Sequence, residues 1–362
     1  MDTIVDNTNE EPEGIDNSPD LEMHNYPLDN LLIRDVPRSV YEVCRRIEQG
    51  QYIMDPDFQR DFVWGLDKQS SLIESLLMRI PLPVFYLAER YDGRIIVIDG
   101  LQRLTTISRY LKNEFALRGL GKTNISLLGK KFQDLPVKLQ NRLEDTRLIM
   151  YVLDEKVPER ARLDIFERVN GGTPLSRQQM RNCMYCGEAT RMLKALAMEK
   201  SFLGATGNSL SKKTMRDREF INRYMAFKVI GLDNYRGDMD DFLASALQKI
   251  NTMTKNETSE LKEKFVKTMH NCELVWGRQT FRKHKPNQSA RNVINAALFD
   301  VLSFTIERIK GSFNADRCEN IRRRLFGLFD DEQFDDAITL STNDLSHVSL
   351  RFQKAKDAFK GV

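Results

Sequence analysis

The sequence lacks any apolar run long enough to span a bilayer, which argues against a membrane-spanning helix. It also lacks basic residues at its start: residues 1–30 hold nine Asp/Glu and no Lys or Arg, so no basic-then-apolar secretory signal is visible, and a cytoplasmic location is expected. Cysteine is scarce and odd in number. The five thiols, Cys44, Cys183, Cys186, Cys272 and Cys318, sit in a 362-residue chain large enough to fold without staples, so reduced thiols are expected. The single C-x-x-C, Cys183 to Cys186, has no second pair and no nearby His, which reads as two half-buried thiols on a helix ahead of a zinc or redox site. Histidine is sparse too. The second half holds only His270, His284 and His347, widely spaced.

What remains is ordinary for a folded, water-soluble chain, with 41% hydrophobic and 30% charged residues. The acidic tail conceals an excess of positive charge: outside residues 1–30 there are 55 basic and 43 acidic side chains, a net +12, which favours phosphate-bearing partners. The tail, rich in Asn, Asp, Glu and Pro, is predicted disordered over residues 1–30.

Ser39 with Glu42 three residues on has the form of a capping box, and Val43, Cys44 and Ile47 follow at helical spacing. Leu72, Ile73, Leu76, Leu77 and Ile80 mark a second amphipathic helix ended by Pro81. Two apolar strands, Val84 to Leu87 and Ile95 to Ile98, flank Asp92-Gly93 and read as a hairpin. Leu101, Leu104, Ile107, Leu111 and Phe115 then give a helix over about 100–114. Further on, a strand is predicted over 148–153, a helix over 159–169, and a helix capped by Ser176 with Gln179. Strand signals fade from about residue 177. The expected architecture is α+β, with an α+β domain over 31–185 and a mostly helical domain over 186–362.

The junction between the second hairpin strand and its helix reads Asp99-Gly100-Leu101-Gln102-Arg103. Asp99 can be an N-cap that accepts from the Gln102 amide, with Gln102 reaching back. That leaves Gly100 and Arg103 unexplained, since glycine is a poor helix former and a cation in the first turn opposes the helix dipole. Both make sense if an anion sits at the helix N-terminus, where free N–H groups, close backbone approach and an arginine fork suit phosphate. Gln102, Arg103, Thr106 and Arg109 share one polar arc of this helix. On the residues alone, a charged cap and a phosphate site both stand.

Ala116 to Thr123, ending Gly121-Lys122-Thr123, loosely fits a P-loop, but a helix precedes it where that mechanism needs a strand, and a mobile basic loop is the better reading. Two further polar islands flank the junction. Gln59 and Arg60 lie among Phe58, Phe62 and Trp64, and Glu167, Arg168 and Asn170 precede Gly171-Gly172.

Taken in order, Phe58-Gln-Arg-x-x-Val-Trp64, Ile98-Asp-Gly-x-Gln-Arg-Leu-Thr-Thr-Ile107 and Phe166-Glu-Arg-x-Asn-Gly-Gly-Thr-Pro-Leu-Ser176 resemble the N-terminal domain of GmrSD-type restriction systems. The resemblance covers about residues 30–185 and implies a ParB/sulfiredoxin-like fold with a G-x-x-R nucleotide turn, here Gly100 to Arg103. It implies an NTP as substrate or ligand, Mg²⁺ as cofactor, and defence against foreign or modified DNA. Asp99, Gln102 and Arg103 then inherit catalytic roles, with Asp99 also on the metal. Gln59, Arg60, Gly100, Arg103, Thr106, Arg168 and Asn170 inherit nucleotide binding. The usual D-G-Q-Q-R carries Leu101 in place of its first Gln, which touches catalytic rate more than binding. The His-Asn-His nuclease constellation of many relatives is missing, so a separate nuclease subunit becomes a candidate partner.

Between Glu273 and Asp300 lie Arg278, Arg282, Lys283, Lys285 and Arg291 with no acidic residue, interleaved with Trp276 and Phe281, a pattern that suits nucleic acid. The sequence therefore predicts an NTP-binding, NTP-hydrolysing restriction or phage-defence protein that binds DNA, with a homo-oligomer possible in principle and no membrane partner. The alternatives are a non-catalytic DNA-binding or adaptor module and a stand-alone DNA-nicking ParB-like nuclease.

Overall fold

The computed structural model describes residues 11–14, 33–54, 64–90, 92–157, 161, 165, 176–286, 288 and 290–362. They fall into two compact units, divided before Ser176. The helix Arg177–Met184 thus belongs to the second unit, where the sequence had suggested a boundary at 185.

The first unit is built on a five-stranded mixed sheet. Its strands are β1 (Ile33–Asp35), β3 (Tyr52–Ile53), β4 (Phe85–Glu89), β5 (Ile95–Asp99) and β7 (Met150–Leu153), in the order β1-β7-β4-β5-β3. β2 (Arg38–Ser39) and β6 (Arg147–Leu148) pair separately, antiparallel. β4 and β5 form the predicted antiparallel hairpin, closed by Gly93 N–H donating to Arg90 O at 2.9 Å and aided by the left-handed φ of Gly93. β7 runs parallel to β4, and β3 parallel to β5.

Helices α1 (Val40–Glu48), α2 (Leu66–Leu77) and α3 (Leu101–Leu111) supply a shared core with the sheet. Val40, Val43, Ile73, Leu76, Leu104 and Ile107 meet Phe85, Leu87 and Val97, all buried. Each such aliphatic side chain contributes about 1.5–3 kcal/mol relative to remaining exposed. Only one arm of the box predicted at α1 forms. Ser39 Oγ accepts from Glu42 N–H at 3.2 Å, while the Glu42 carboxylate turns to Arg38 and Arg46. The helix predicted over 159–169 lies outside the described residues apart from 161 and 165.

The second unit is helical, from α5 (Arg177–Met184), after α4 (Val137–Glu144), to the last helix, Leu345–Ala358. The box predicted at Ser176 is complete, with Gln179 N–H reaching Ser176 Oγ and Ser176 N–H reaching Gln179 Oε1 at 2.7 Å. Asp300 anchors the core. It takes Arg223 Nε at 2.9 Å and Nη2 at 2.6 Å and Arg351 Nη2 at 3.1 Å, all three residues being buried.

The N-terminal tail departs from the disorder expected of it at four residues. Glu13 N–H donates to Ile294 O, Ala296 N–H donates to Glu13 O, both at 2.9 Å, and Thr342 Oγ1 donates to Gly14 O at 2.6 Å. Pro12 is buried against this unit, so backbone pairing and one proline overcome the tail's polarity locally.

Candidate functional site

β5 ends at Asp99, and Gly100 turns the chain into α3 with φ +100°, a left-handed conformation that favours glycine. A second constraint acts on the same residue. A Cβ at Gly100 would stand 2.8 Å from Phe85 Cε1 and nearer still to Cδ1, so the ring of β4 leaves room for a hydrogen only. The need for glycine here follows from the turn and from Phe85, without any ligand.

A register shift of one residue between β4 and β5 sets Asp99 opposite Tyr86, whereas Val97 pairs with Leu87. Such bulges re-aim side chains at strand ends. Asp99 does not cap the helix as expected. Gly100 is the N-cap, no side chain among the described residues caps α3, and Asp99 Oδ2 instead accepts from Arg103 Nη2 at 2.7 Å. Among the described residues no side chain caps the first turn of α3, and a helix N-terminus carries a partial positive charge that suits an anion.

Arg103 is a clasp. Its Nη2 also donates to Val84 O at 3.0 Å, its Nη1 donates to Pro83 O, and its guanidinium lies 4.1 Å from the Phe85 ring centroid. These contacts tie the start of α3 to the entry of β4 and account for a cation in the first turn. Burial pulls the Arg103 pKa below the ordinary arginine value and the Asp99 carboxylate opposes that shift. The side chain is 11% exposed against 38% for Asp99, so Asp99 is the member of the pair that solvent and ligand reach more readily.

Thr106 is fully buried and its hydroxyl donates to Gln102 O at 2.7 Å, inside its own helix. That corrects its assignment to a nucleotide contact: one turn of drift carries it from the polar arc to the core side. Arg109 turns to Gln69 Oε1 at 3.1 Å and Glu114 Oε2 at 2.9 Å. Gln102 is half-buried at the helix start. Gln59, Arg60, Arg168 and Asn170 lie outside the described residues. Phe85, Pro83 and Val84 were missed from the sequence, because a ring and two carbonyls carry no motif.

The loop ending Gly121-Lys122-Thr123 enters a 3-10 turn, Lys122–Leu127, instead of a helix that follows a strand. Glu74 Oε1 holds it, accepting from Gly121 N–H at 3.1 Å and Asn124 Nδ2 at 2.6 Å. An acidic clamp on the loop is the opposite of a phosphate cradle, and it replaces the expected mobile loop with a tethered one. Cys183 is buried and Cys186 half-buried just past the end of α5.

In the helical unit, Arg282 is 1% exposed and donates to Thr280 O, Thr206 O and Ser209 Oγ, which removes it from nucleic-acid contact. Arg278 and Lys285 are exposed, Lys283 pairs with Asp335, and Arg291 Nη1 reaches Gly207 O at 3.3 Å. Phe281 packs on Phe299 in the core and Trp276 is 6% exposed, so the interleaved aromatics are structural.

The motif-bearing region matches a family model, that of the GmrSD restriction endonuclease N-terminal domain, over residues 40–186. Over these residues the chain is similar to that family. A comparison with curated proteins found no match.

Proposed function

We propose that the protein is a component of a DNA restriction or phage-defence system that binds, and hydrolyses, a nucleoside triphosphate with Mg²⁺ at the start of α3, the nucleotide state controlling DNA or partner binding. The carrying observation is the entry to α3 through left-handed Gly100, beside a partly exposed carboxylate and an arginine and with no capping side chain among the described residues. The family match supports the setting.

In this reading the first-turn amides at Gly100 to Arg103 cradle phosphate oxygens, Gln102 orients water, and Arg103 offsets developing charge. Arg103 also fixes the Asp99 carboxylate, so its contribution is positioning as well as charge. Among the described residues no three His, Cys, Asp or Glu side chains converge. Mg²⁺ needs no such cage, since one or two carboxylates with phosphate oxygens and water suffice, and the partly exposed Asp99 fits that pattern. When bound, the ion would neutralise phosphate charge. DNA would meet Arg278, Lys283, Lys285 and Arg291, and a separate nuclease subunit would perform cleavage.

A panel of NTPs assayed for binding and phosphate release, with and without DNA and Mg²⁺, tests the reading. Binding that weakens in Gln102→Ala with unchanged melting, and in Asp99→Asn by more than its melting curve accounts for, supports it. Wild-type protein that binds no nucleotide by calorimetry overturns it. That result would favour a second reading, a non-catalytic DNA-binding or adaptor module, which draws on the finding that Phe85 and the Arg103 clasp explain Gly100 and Arg103 without a ligand.

A further inference from the structure

Two stretches of the helical unit contain no Asp or Glu: Lys200 to Arg216 and Leu274 to Phe299. They are far apart in sequence, and the fold staples them together. Buried Arg282 donates from Nη2 to Thr206 O at 2.7 Å and to Ser209 Oγ at 2.9 Å, and Arg291 Nη1 reaches Gly207 O. A Cβ on Gly207 would meet the Arg291 guanidinium, so the two chains touch there.

Both stretches are braced. Asn292 Nδ2 donates to Lys283 O at 2.5 Å and Gln279 Nε2 to Ala290 O at 2.9 Å, which closes the segment on itself, and Arg282 bridges Ile294 antiparallel. On the other stretch, Lys213 O accepts from Gln179 Nε2 at 2.9 Å and Thr214 O from Ser176 Oγ at 2.6 Å. Lys212, Lys213 and Thr214 stand exposed on this fixed backbone. Of the acids bordering the area, Asp335 pairs with Lys283 and Asp217 is buried.

We infer that the exposed Lys212-Lys213 loop and the segment 278–291 form one continuous surface that tracks the phosphate backbone of a DNA duplex, with Lys212 and Lys213 as contacts. The inference rests on the proposed DNA-acting role. The duplex is favoured over a single strand because the aromatics of the basic segment, Trp276 and Phe281, are buried, which leaves charge without a stacking platform.

The test is anisotropy of a fluorescein-labelled DNA duplex with the full chain over a salt series. Lys212→Glu/Lys213→Glu alters two exposed side chains, so melting is unchanged, and the comparison variant is Arg278→Glu/Lys285→Glu. The loop variant is expected to bind about ten-fold or more weakly at low salt, with a log–log salt slope flatter by about two. Loss in the comparison variant alone overturns the inference and leaves the reading of segment 278–291 standing. Wild-type affinity and slope in both variants, or no duplex binding by the wild type, removes both. Tighter binding of a single strand than of the duplex overturns the assignment of partner.

Discussion

Arg103 and Asp99 are joined at 2.7 Å across one turn at the start of α3, and the same guanidinium grips the carbonyls of Pro83 and Val84. Removing the arginine therefore takes the donor from three acceptors as well as removing any ligand contact. Arg103→Ala is expected to lower stability by about 2 kcal/mol, in the range of a partly buried charge-assisted hydrogen bond. Chemical denaturation checks this, and an unchanged midpoint would show that the clasp contributes nothing. Nucleotide affinity of this variant is informative only beside its melting curve, which is why Gln102, outside the Arg103–Asp99 ion pair, is the cleaner probe.

Gly100 and Phe85 should be energetically coupled. Gly100→Ala places a Cβ into the Phe85 ring and forces a left-handed φ on alanine, a cost of about 2–4 kcal/mol from overlap and backbone strain together. In a Phe85→Leu background the overlap falls and the strain remains, so the glycine substitution should cost less there. Additive effects in the double-mutant cycle would place the whole cost in the backbone.

Much of this junction was legible in the sequence. The hairpin, the amphipathic stripe of α3 and the polar cluster at its start follow from local periodicity and turn chemistry, which act over a few residues. The reasons for Gly100 and Arg103 were not legible, because they lie in the ring of Phe85 and the carbonyls before it, positions fixed only by strand pairing. Thr106 and Arg282 show the same limit from the other side. Each reads as polar and available, and each is buried with hydrogen bonds to backbone carbonyls, within its own helix for Thr106 and to distant Thr206 for Arg282. The acidic tail was misread at Glu11–Gly14 because backbone pairing to Ile294 and Ala296 is indifferent to side-chain polarity.

Asp240 sets an acid limit for the helical unit. Burial alone would raise its pKa, but the guanidiniums of Arg181 and Arg177 outweigh that and hold it below the usual aspartate value. A carboxyl depressed on folding contributes stability that is present above its unfolded pKa, near 3.9, and lost as the pH falls through the folded value. Unfolding free energy should thus drop below about pH 4. Asp240→Asn should be less stable at pH 7 and show a weaker acid dependence. An acid limb identical to the wild type in that variant would assign the effect to other carboxyls.

Asp300 should be the least tolerant acidic position of the helical unit. It answers two buried guanidiniums, Arg223 and Arg351, and burial has already drawn the Arg351 pKa down to about 10. Asp300→Asn leaves both cations without their counter-charge, a cost of about 3–5 kcal/mol. Denaturation of the full chain should show it as loss of cooperative melting in the helical unit.

The bridge made by Glu13 gives a prediction of opposite character, since the sequence around it carries almost no folding signal. Glu13 exchanges two backbone hydrogen bonds with Ile294 and Ala296, Gly14 O accepts from Thr342, and Asn295 Nδ2 donates to Ile338 O beside them. Deleting residues 1–14 uncovers the N-terminus of the helix Ala296–Arg308 and leaves the Thr342 hydroxyl without this acceptor. At about 0.5–1.5 kcal/mol per net hydrogen bond, the loss should be about 2–4 kcal/mol with the buried Pro12 included. Glu13→Ala should cost almost nothing by contrast, because its contacts here are backbone ones and its side chain is exposed. Hydrogen exchange at the Ala296 amide, fast in the deletion and protected in Glu13→Ala, separates backbone pairing from tail charge. Equal protection in both variants would mean that the bridge contributes nothing to the helical unit.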